Sequence, residues 1–284
     1  MRIRIRHETL YRYAAPAKLT IQHLRLTPRS YDGQHVTDWR IDVDRDCRVI
    51  GSEDAFGNIL HRFTADGPLD SITTMVEGEV DTFDTAGVIS GAPERFPPAL
   101  FLRATSLTEP GPELLEFAAS TVRGKAPTLD SLHALLCAIH DQMTFDVDAT
   151  NAATTASQVF SHRKGVCQDF AHLFIACARA LGTPARYVSG YYLRSDGDEQ
   201  VAGHAWAEAY VEDLGWIGFD PAHGVSPGER HVRIATGLDY LSAAPVRGAR
   251  SGGGGERMEV RVRVAEASRQ PGRQADQQAD QQAQ

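Results

Sequence analysis

In the opening segment MRIRIRHETLYRY, Ile3 and Ile5 alternate with Arg2, Arg4 and Arg6. That period of two is the signature of a half-buried strand with charge on its wet face. The same alternation runs through Trp39, Ile41 and Val43, and again from Val76 to Val80. Between these runs lie TPRSYDGQ, EDAFGN and TADGPLD, rich in the residues that reverse a chain. Short strands at this spacing predict an all-β, sandwich-like domain over residues 1–98. The stretch APERFPP, which no regular element can traverse, closes it.

Beyond that point the period changes. Leu132, Leu135, Leu136, Ile139 and Met143 recur at helical spacing, with Asp130 in position to cap the helix. A second helix is predicted from Cys167 to Leu181, ending at Gly182 with Pro184 just beyond. It is apolar almost all round, its polar stripe being Gln168, Asp169, His172 and Arg179, so it belongs inside a core. Strands follow at ARYVSGYYL and HAWAEAYV. In the latter, Ala205, Ala207, Ala209 and Val211 form one face and His204, Trp206, Glu208 and Tyr210 the other. A row of alanines lets a helix lie close against the sheet. Trp216–Asp220 is one more strand, and Met258–Val264 should close a sheet. A second domain is therefore expected over residues 99–266, followed by a disordered tail at 267–284, where Gln, Ala, Asp and Arg dominate.

Composition narrows the class. With 42% hydrophobic and 23% charged residues among 284, the chain is globular rather than fibrous or disordered. The balance of 29 Lys and Arg against 37 Asp and Glu leaves a formal charge of −8, which argues against a nucleic-acid partner. The longest apolar stretch is about a dozen residues, short of the roughly 20 that span a bilayer, so no membrane partner is expected. Four cysteines do not make a disulfide framework, and the expected location is a reducing cytoplasm with free thiols.

A free thiol can be a nucleophile. Cys167 opens the buried helix, where unpaired N–H groups and the positive end of the helix dipole favour a thiolate and can stabilise an oxyanion. His204 begins a strand, and Asp220, in GFDPA, ends the next. Cysteine, histidine and acid in that order suit a nucleophilic triad. The odd-length turn at EDLG keeps His204 and Asp220 on one face, two to four positions out of register, or roughly 7–13 Å along the strand. Gln168, Asp169, Trp206 and Tyr192 are candidates to line or support the same cleft, although aromatic residues on a sheet are more often core. Two patterns imitate metal sites. Asp42, Asp44, Asp46 and Glu53 have calcium-loop spacing, but Cys47 stands where that loop needs glycine. His133, Cys137 and His140 share a helix flank without an evident fourth ligand.

The stretches RKGVCQDFAHLFIACARALGTPARYVSGYYL and GHAWAEAYVEDLGWIGFDPAHG closely resemble the core of the bacterial transglutaminase-like family. The resemblance continues into HVRIATGLDY and MEVRVRV, and the first hundred residues look like the β-rich region that precedes that core. It implies an α+β, papain-like (transglutaminase-like) catalytic domain. It further implies Cys167 as nucleophile, His204 as general base and acid, and Asp220 as the acid that orients the imidazole. The expected activity is that of a thiol enzyme on peptide or amide bonds, hydrolytic by preference, with no cofactor. Its partner would be a peptide, protein or small amide. The alternatives are transfer of a glutamine acyl group to an amine, or a binding module that keeps the fold without turnover.

Overall fold

The computed structural model describes residues 1–122 and 128–267. Five strands come first: β1 (Arg2–Thr27), β2 (Gln34–Val43), β3 (Ile50–Glu53), β4 (Ile59–Thr82) and β5 (Val88–Ile89). The helices α1 (Pro112–Val122), α2 (Leu129–Gln142) and α3 (Ala156–His162) follow, with β6 (Thr144–Phe145) before α3 and β7 (Lys164–Gly165) after it. Then come α4 (Cys167–Ala180), β8 (Ala185–Tyr192), β9 (Glu199–Gln200), β10 (His204–Val211) and β11 (Gly215–Phe219). The chain ends in β12 (His231–Gly237), α5 (Tyr240–Ala243), β13 (Val246–Gly252) and β14 (Glu256–Glu266). Apart from residue 267, the tail expected to be disordered lies outside the described residues.

The N-terminal region is built differently from a sandwich of short strands. It is one seven-stranded sheet, ordered β2-β4-β1-β14-β9, with β13 also on β1 and β3 on β4. β1 and β4, 26 and 24 residues long, pair antiparallel along most of their length. The ladder breaks between Arg12 and Leu19, and the folded strands wrap an apolar cluster that includes Leu24, Leu26, Phe63, Ile72 and Val76. Turn-like residues such as Gly67 and Pro68 therefore mark irregularities within a long strand, not its ends. The opening alternation behaves as expected: Ile3 and Ile5 are fully buried. Arg2, Arg4 and Arg6 sit opposite Asp81, Glu79 and Glu77 and form ion pairs with them. Such surface pairs add little energy each, but they favour one register.

The second sheet, β12-β8-β10-β11-β5, carries α4 on the alanine face of β10, where Ala205, Ala207 and Ala209 are all buried. α4 begins at Cys167 and its chain turns at Gly182, where φ is +83°. For α2 the cap is Thr128 rather than Asp130: its hydroxyl accepts the Ser131 N–H while Ser131 returns a bond to the Thr128 N–H. A cap needs extended backbone, which Thr128 has, whereas Asp130 already lies in the first turn.

The expected boundary at residues 98 and 99 does not partition the strands. β5 pairs with β11 through Trp216 and Ile217, while β13 and β14 both pair with β1. Strand pairing is decided by which backbone edges are free, and the sequence division cannot register that. Two side-chain amides complete the join. Gln34 accepts the Arg233 N–H and donates to its carbonyl (2.8 and 2.9 Å), and Asn58 does the same at Thr236 (both 2.8 Å). They occupy backbone groups of β12, which would otherwise present the open edge of the second sheet. Among the described residues no helix is long and apolar enough to cross a membrane.

The face of β10 opposite the alanines holds a buried ion cluster. Glu208 pairs with Arg186 at 2.6 Å and with Arg233 at 2.7 Å, and Arg186 reaches on to Glu94 at 2.7 Å. Burial alone would raise the Glu208 pKa, but the two guanidinium groups override it and hold the carboxyl at about 2. Replacing Glu208 with Gln leaves two arginines under-compensated and should cost about 3–5 kcal/mol in denaturant unfolding. The folded carboxyl titrates below its ordinary value of 4.5. Its contribution is therefore complete above that pH and fades as pH falls toward about 2. The stability of Glu208→Gln should show less of this acid loss than the parent.

Candidate active site

Val166 is extended, with φ −116° and ψ −179°, and α4 starts immediately after it. The first bonds of the helix run from the Asp169 and Phe170 N–H groups to the Val166 carbonyl (3.0 and 3.1 Å). The N–H groups of Cys167 and Gln168 consequently have no acceptor within the helix, and the thiol sits at the positive end of its dipole. Asp169 secures this start from within. It accepts the Val166 N–H at 2.9 Å and the Thr150 hydroxyl at 2.6 Å. Burial raises its pKa against the pull of both bonds. A Cβ at Gly165 would meet the Asp169 carboxylate at 2.7 Å, so the approach to Cys167 needs glycine.

His204 lies opposite Gly190 at the start of β10. The β10–β11 ladder ends at Ala207 and Phe219, so Asp220 would continue it opposite Trp206, two positions from His204. That is the shorter of the expected offsets, and the imidazole spans it: Nε2 of His204 donates to Oδ2 of Asp220 at 2.7 Å. This leaves Nδ1 for the thiol. Cys167 and His204 line one cavity, His204 is bonded to Asp220, and Cys167 is among the groups that raise the His204 pKa, so the three residues converge on one site.

Two further histidines converge on the same oxygen. His223 Nδ1 donates to Asp220 Oδ2 at 2.7 Å and His231 Nε2 at 3.1 Å, while the Ala222 N–H serves Oδ1 at 3.0 Å. The tautomer of His231 is fixed, because its Nδ1 accepts the Gly228 N–H at 3.2 Å. Its proton must then sit on Nε2 and point at Asp220. The donor atoms of His204, Asp220 and His231 lie within 4.8 Å of one another, a spacing that would suit a metal ion. With His204 and His231 each aiming an N–H at Oδ2, however, the group is a hydrogen-bonded carboxylate.

The electrostatics follow from that arrangement. Burial would raise the Asp220 pKa, yet the charge on His204 and the three imidazole donors hold it well below the carboxylate range. Burial likewise pushes His204 down, but Asp220, by charge and hydrogen bond, outweighs it, Cys167 adds to the effect, and the imidazolium is held up to about 10. For His231 burial prevails over the Asp220 bond, and its pKa is lowered. One neutral and one cationic imidazole thus share a single oxygen.

The remaining candidates divide. Gln168 and Tyr192 line the cavity that contains Cys167 and His204. Tyr192 also packs on His223, His204 and His231, with ring centroids 4.1, 5.5 and 4.8 Å away. Trp206 is buried against His204 and His231. Asp169 is buried as the anchor of the helix start. His172 packs on Tyr187, and its Nε2 accepts the Tyr240 N–H at 3.0 Å. Of the helix flank with zinc-like spacing, His140 Nδ1 donates to the Pro221 carbonyl and His133 packs on Phe219. His223 and His231 are the residues that sequence reasoning missed. The only signal was the place of His223, three residues after Asp220 in the turn beyond a proline.

The chain matches two family models: "Transglutaminase-like superfamily" over residues 115–221 and "Bacterial transglutaminase-like N-terminal region" over residues 3–81. An uncharacterized protein of Mycobacterium tuberculosis is 31% identical over 274 residues, covering 87% of each chain. Another from Mycobacterium leprae is 28% identical, covering 93% of this chain and 98% of the relative. A protein-glutamine gamma-glutamyltransferase of Pseudomonas aeruginosa is 33% identical over 118 residues, 36% of this chain and 17% of that one. Among solved structures, a candidate cysteine protease from Cytophaga hutchinsonii superposes with a TM-score of 0.76 at 24% identity, covering 95% and 92% of the two chains.

The histidine cluster makes a spectroscopic prediction. In an NMR titration of the imidazole rings, His204 should remain protonated well above pH 8 and lose its proton only near pH 10. In Asp220→Asn, burial acts with no carboxylate to oppose it, and the His204 midpoint should fall to about 6.5 or below. A midpoint near 6.5 in the unaltered protein would contradict the ion pair.

Proposed function

The chain belongs to the transglutaminase-like superfamily, and on that premise we propose that it is a thiol enzyme acting on peptide or amide bonds, with hydrolysis as its principal outcome. The observation that carries this reading is a histidine bound through one nitrogen to a buried carboxylate, its other nitrogen left for a thiol at a helix N-terminus. Cys167 is the nucleophile, His204 the proton carrier and Asp220 the group that fixes the imidazole. The sulfur anion attacks the carbonyl carbon, and the free N–H groups at the start of α4 receive the charge that develops on oxygen. His204 passes its proton to the departing amine, leaving an acyl-thioester on Cys167. Water then attacks that carbonyl and gives a proton back to His204, releasing a carboxylic acid and restoring the thiolate–imidazolium pair. An amine in place of water would yield a new amide by the same steps, so the two activities differ in the acceptor alone.

The finer parts of the proposal rest on the same residues. The papain-like, α+β description applies to the region around α4 and the second sheet, within a molecule that is otherwise rich in β-structure. All four cysteines are free thiols, which suits the reducing cytoplasm that we propose as its location. Neither a nucleic acid nor a membrane is among the proposed partners. No step requires a cofactor.

Side-by-side assays of peptide hydrolysis and of amine incorporation into a glutamine substrate test the reading. Hydrolytic release should dominate, and Cys167→Ala should lower it by at least about 10⁴-fold. Amine incorporation without hydrolysis would reverse the ranking of the two activities. Iodoacetamide near neutral pH should alkylate Cys167 ahead of Cys47, Cys137 and Cys177, and equal rates at all four would favour a binding module.

A further inference from the structure

The cavity that contains Cys167 and His204 measures about 840 Å³ and is walled by both sheets. Its lining is unusual in one respect. The four most exposed large apolar side chains among the described residues are Val201 (81%), Val147 (61%), Phe145 (58%) and Met258 (54%), and all four lie on it. Isolated apolar side chains on a surface need no explanation, but their collection in one cleft does. They also reach it from separate elements. Phe145 pairs with Gly165, two residues before the nucleophile, and Val147 follows it. Val201 stands three residues before His204, and Met258 comes from β14 in the other sheet. The approach to the thiol and the approach to the imidazole each therefore carry bulky apolar side chains.

Charge points the same way. Among the described residues, Arg25, Arg194 and Asp196 are the only Lys, Arg, Asp or Glu side chains on this lining, and each is paired. Arg25 is bound to Asp54 at 2.7 Å, and Arg194 to Asp196 at 2.6 Å. Among the described residues of the lining, a lysine side chain entering as amine acceptor would find no unpaired carboxylate, and an acidic side chain no unpaired cation. A small polar amide would leave the four apolar groups in water. We infer that the substrate is a peptide with large aliphatic or aromatic side chains beside the scissile amide, which Phe145, Val147, Val201 and Met258 cover on binding. This inference rests on Cys167 being the nucleophile and adds to that reading the class of side chain selected.

Dipeptidyl chloromethyl ketones test it without requiring turnover, since they alkylate the nucleophile at a rate set by recognition of their side chains. Probes with both residues Phe, Gln, Lys or Glu are compared on the full chain, each rate divided by the iodoacetamide rate at Cys167 of the same protein. The Phe probe should label Cys167 about 10- to 100-fold faster than the other three. Phe145→Ser and Val201→Ser should each shrink that advantage several-fold when normalised in the same way. Equal normalised rates for the four probes, or faster labelling by Lys, Glu or Gln, would overturn the apolar specificity while leaving the nucleophile in place. Failure of both the probes and iodoacetamide to favour Cys167 over the other cysteines would overturn the nucleophile, and the specificity with it.

Discussion

A single oxygen, Oδ2 of Asp220, organises the centre of this molecule. It lies out of water, where a carboxylate is costly, and persists as an anion because three imidazoles and a backbone N–H surround the group. In return it fixes the orientation of His204 and maintains its positive charge. Those imidazoles arrive from β10, from the turn after β11 and from the start of β12, so the carboxylate depends on the order of strands in the second sheet. The chain leaves the ladder at Asp220, with its N–H bonded to the Val225 carbonyl at 2.8 Å. That departure frees the carboxylate to face three partners.

The N-terminal sheet serves this centre at a distance. By placing Gln34 and Asn58 along β12 it occupies backbone groups of the strand that carries His231. Glu94, in the segment that follows β5, reaches Arg186 and completes the ion cluster on the same face as His204. The exchange of strands, β5 in one direction and β13 and β14 in the other, makes separation of the two sheets a matter of breaking backbone ladders as well as side-chain contacts. The apolar core reflects this: Ile3, Ile5 and Val264 belong to the same cluster as Leu173 and Ala207. The cleft that holds Cys167 takes walls from both of these joined sheets, which bear on a site whose thiol, imidazole and substrate must meet within hydrogen-bond distance.

Much of this was legible in the chain. Alternation at Ile3 and Ile5, the apolar circumference of the helix after Cys167 and the alanine face of β10 each state a local preference strong enough to survive folding. The motifs around Cys167, His204 and Asp220 also exposed the transglutaminase-like fold that the comparisons establish. The length of β1 and β4 was not legible, since Gly67 and Pro68 read as a turn, whereas the ladder is paired on both sides of them, Asp66 with Leu19 and Leu69 with Ala17. His223 and His231 escaped notice because no sequence period links them to Asp220.

The amino-acid sequence alone determined the helix that starts at Cys167, the buried face of Ile3 and Ile5, the alanine face of β10, and which three residues could form a thiol–imidazole–carboxylate set. Those are consequences of spacing, and spacing is a property of one dimension. Tertiary structure alone decided that β14 would join the first sheet and β5 the second, that Oδ2 would serve three histidines, and that four exposed apolar side chains would gather around the thiol. Each of these depends on distance between residues far apart in the chain. Such distances are set by which backbone edges and apolar faces remain open once the local elements have formed.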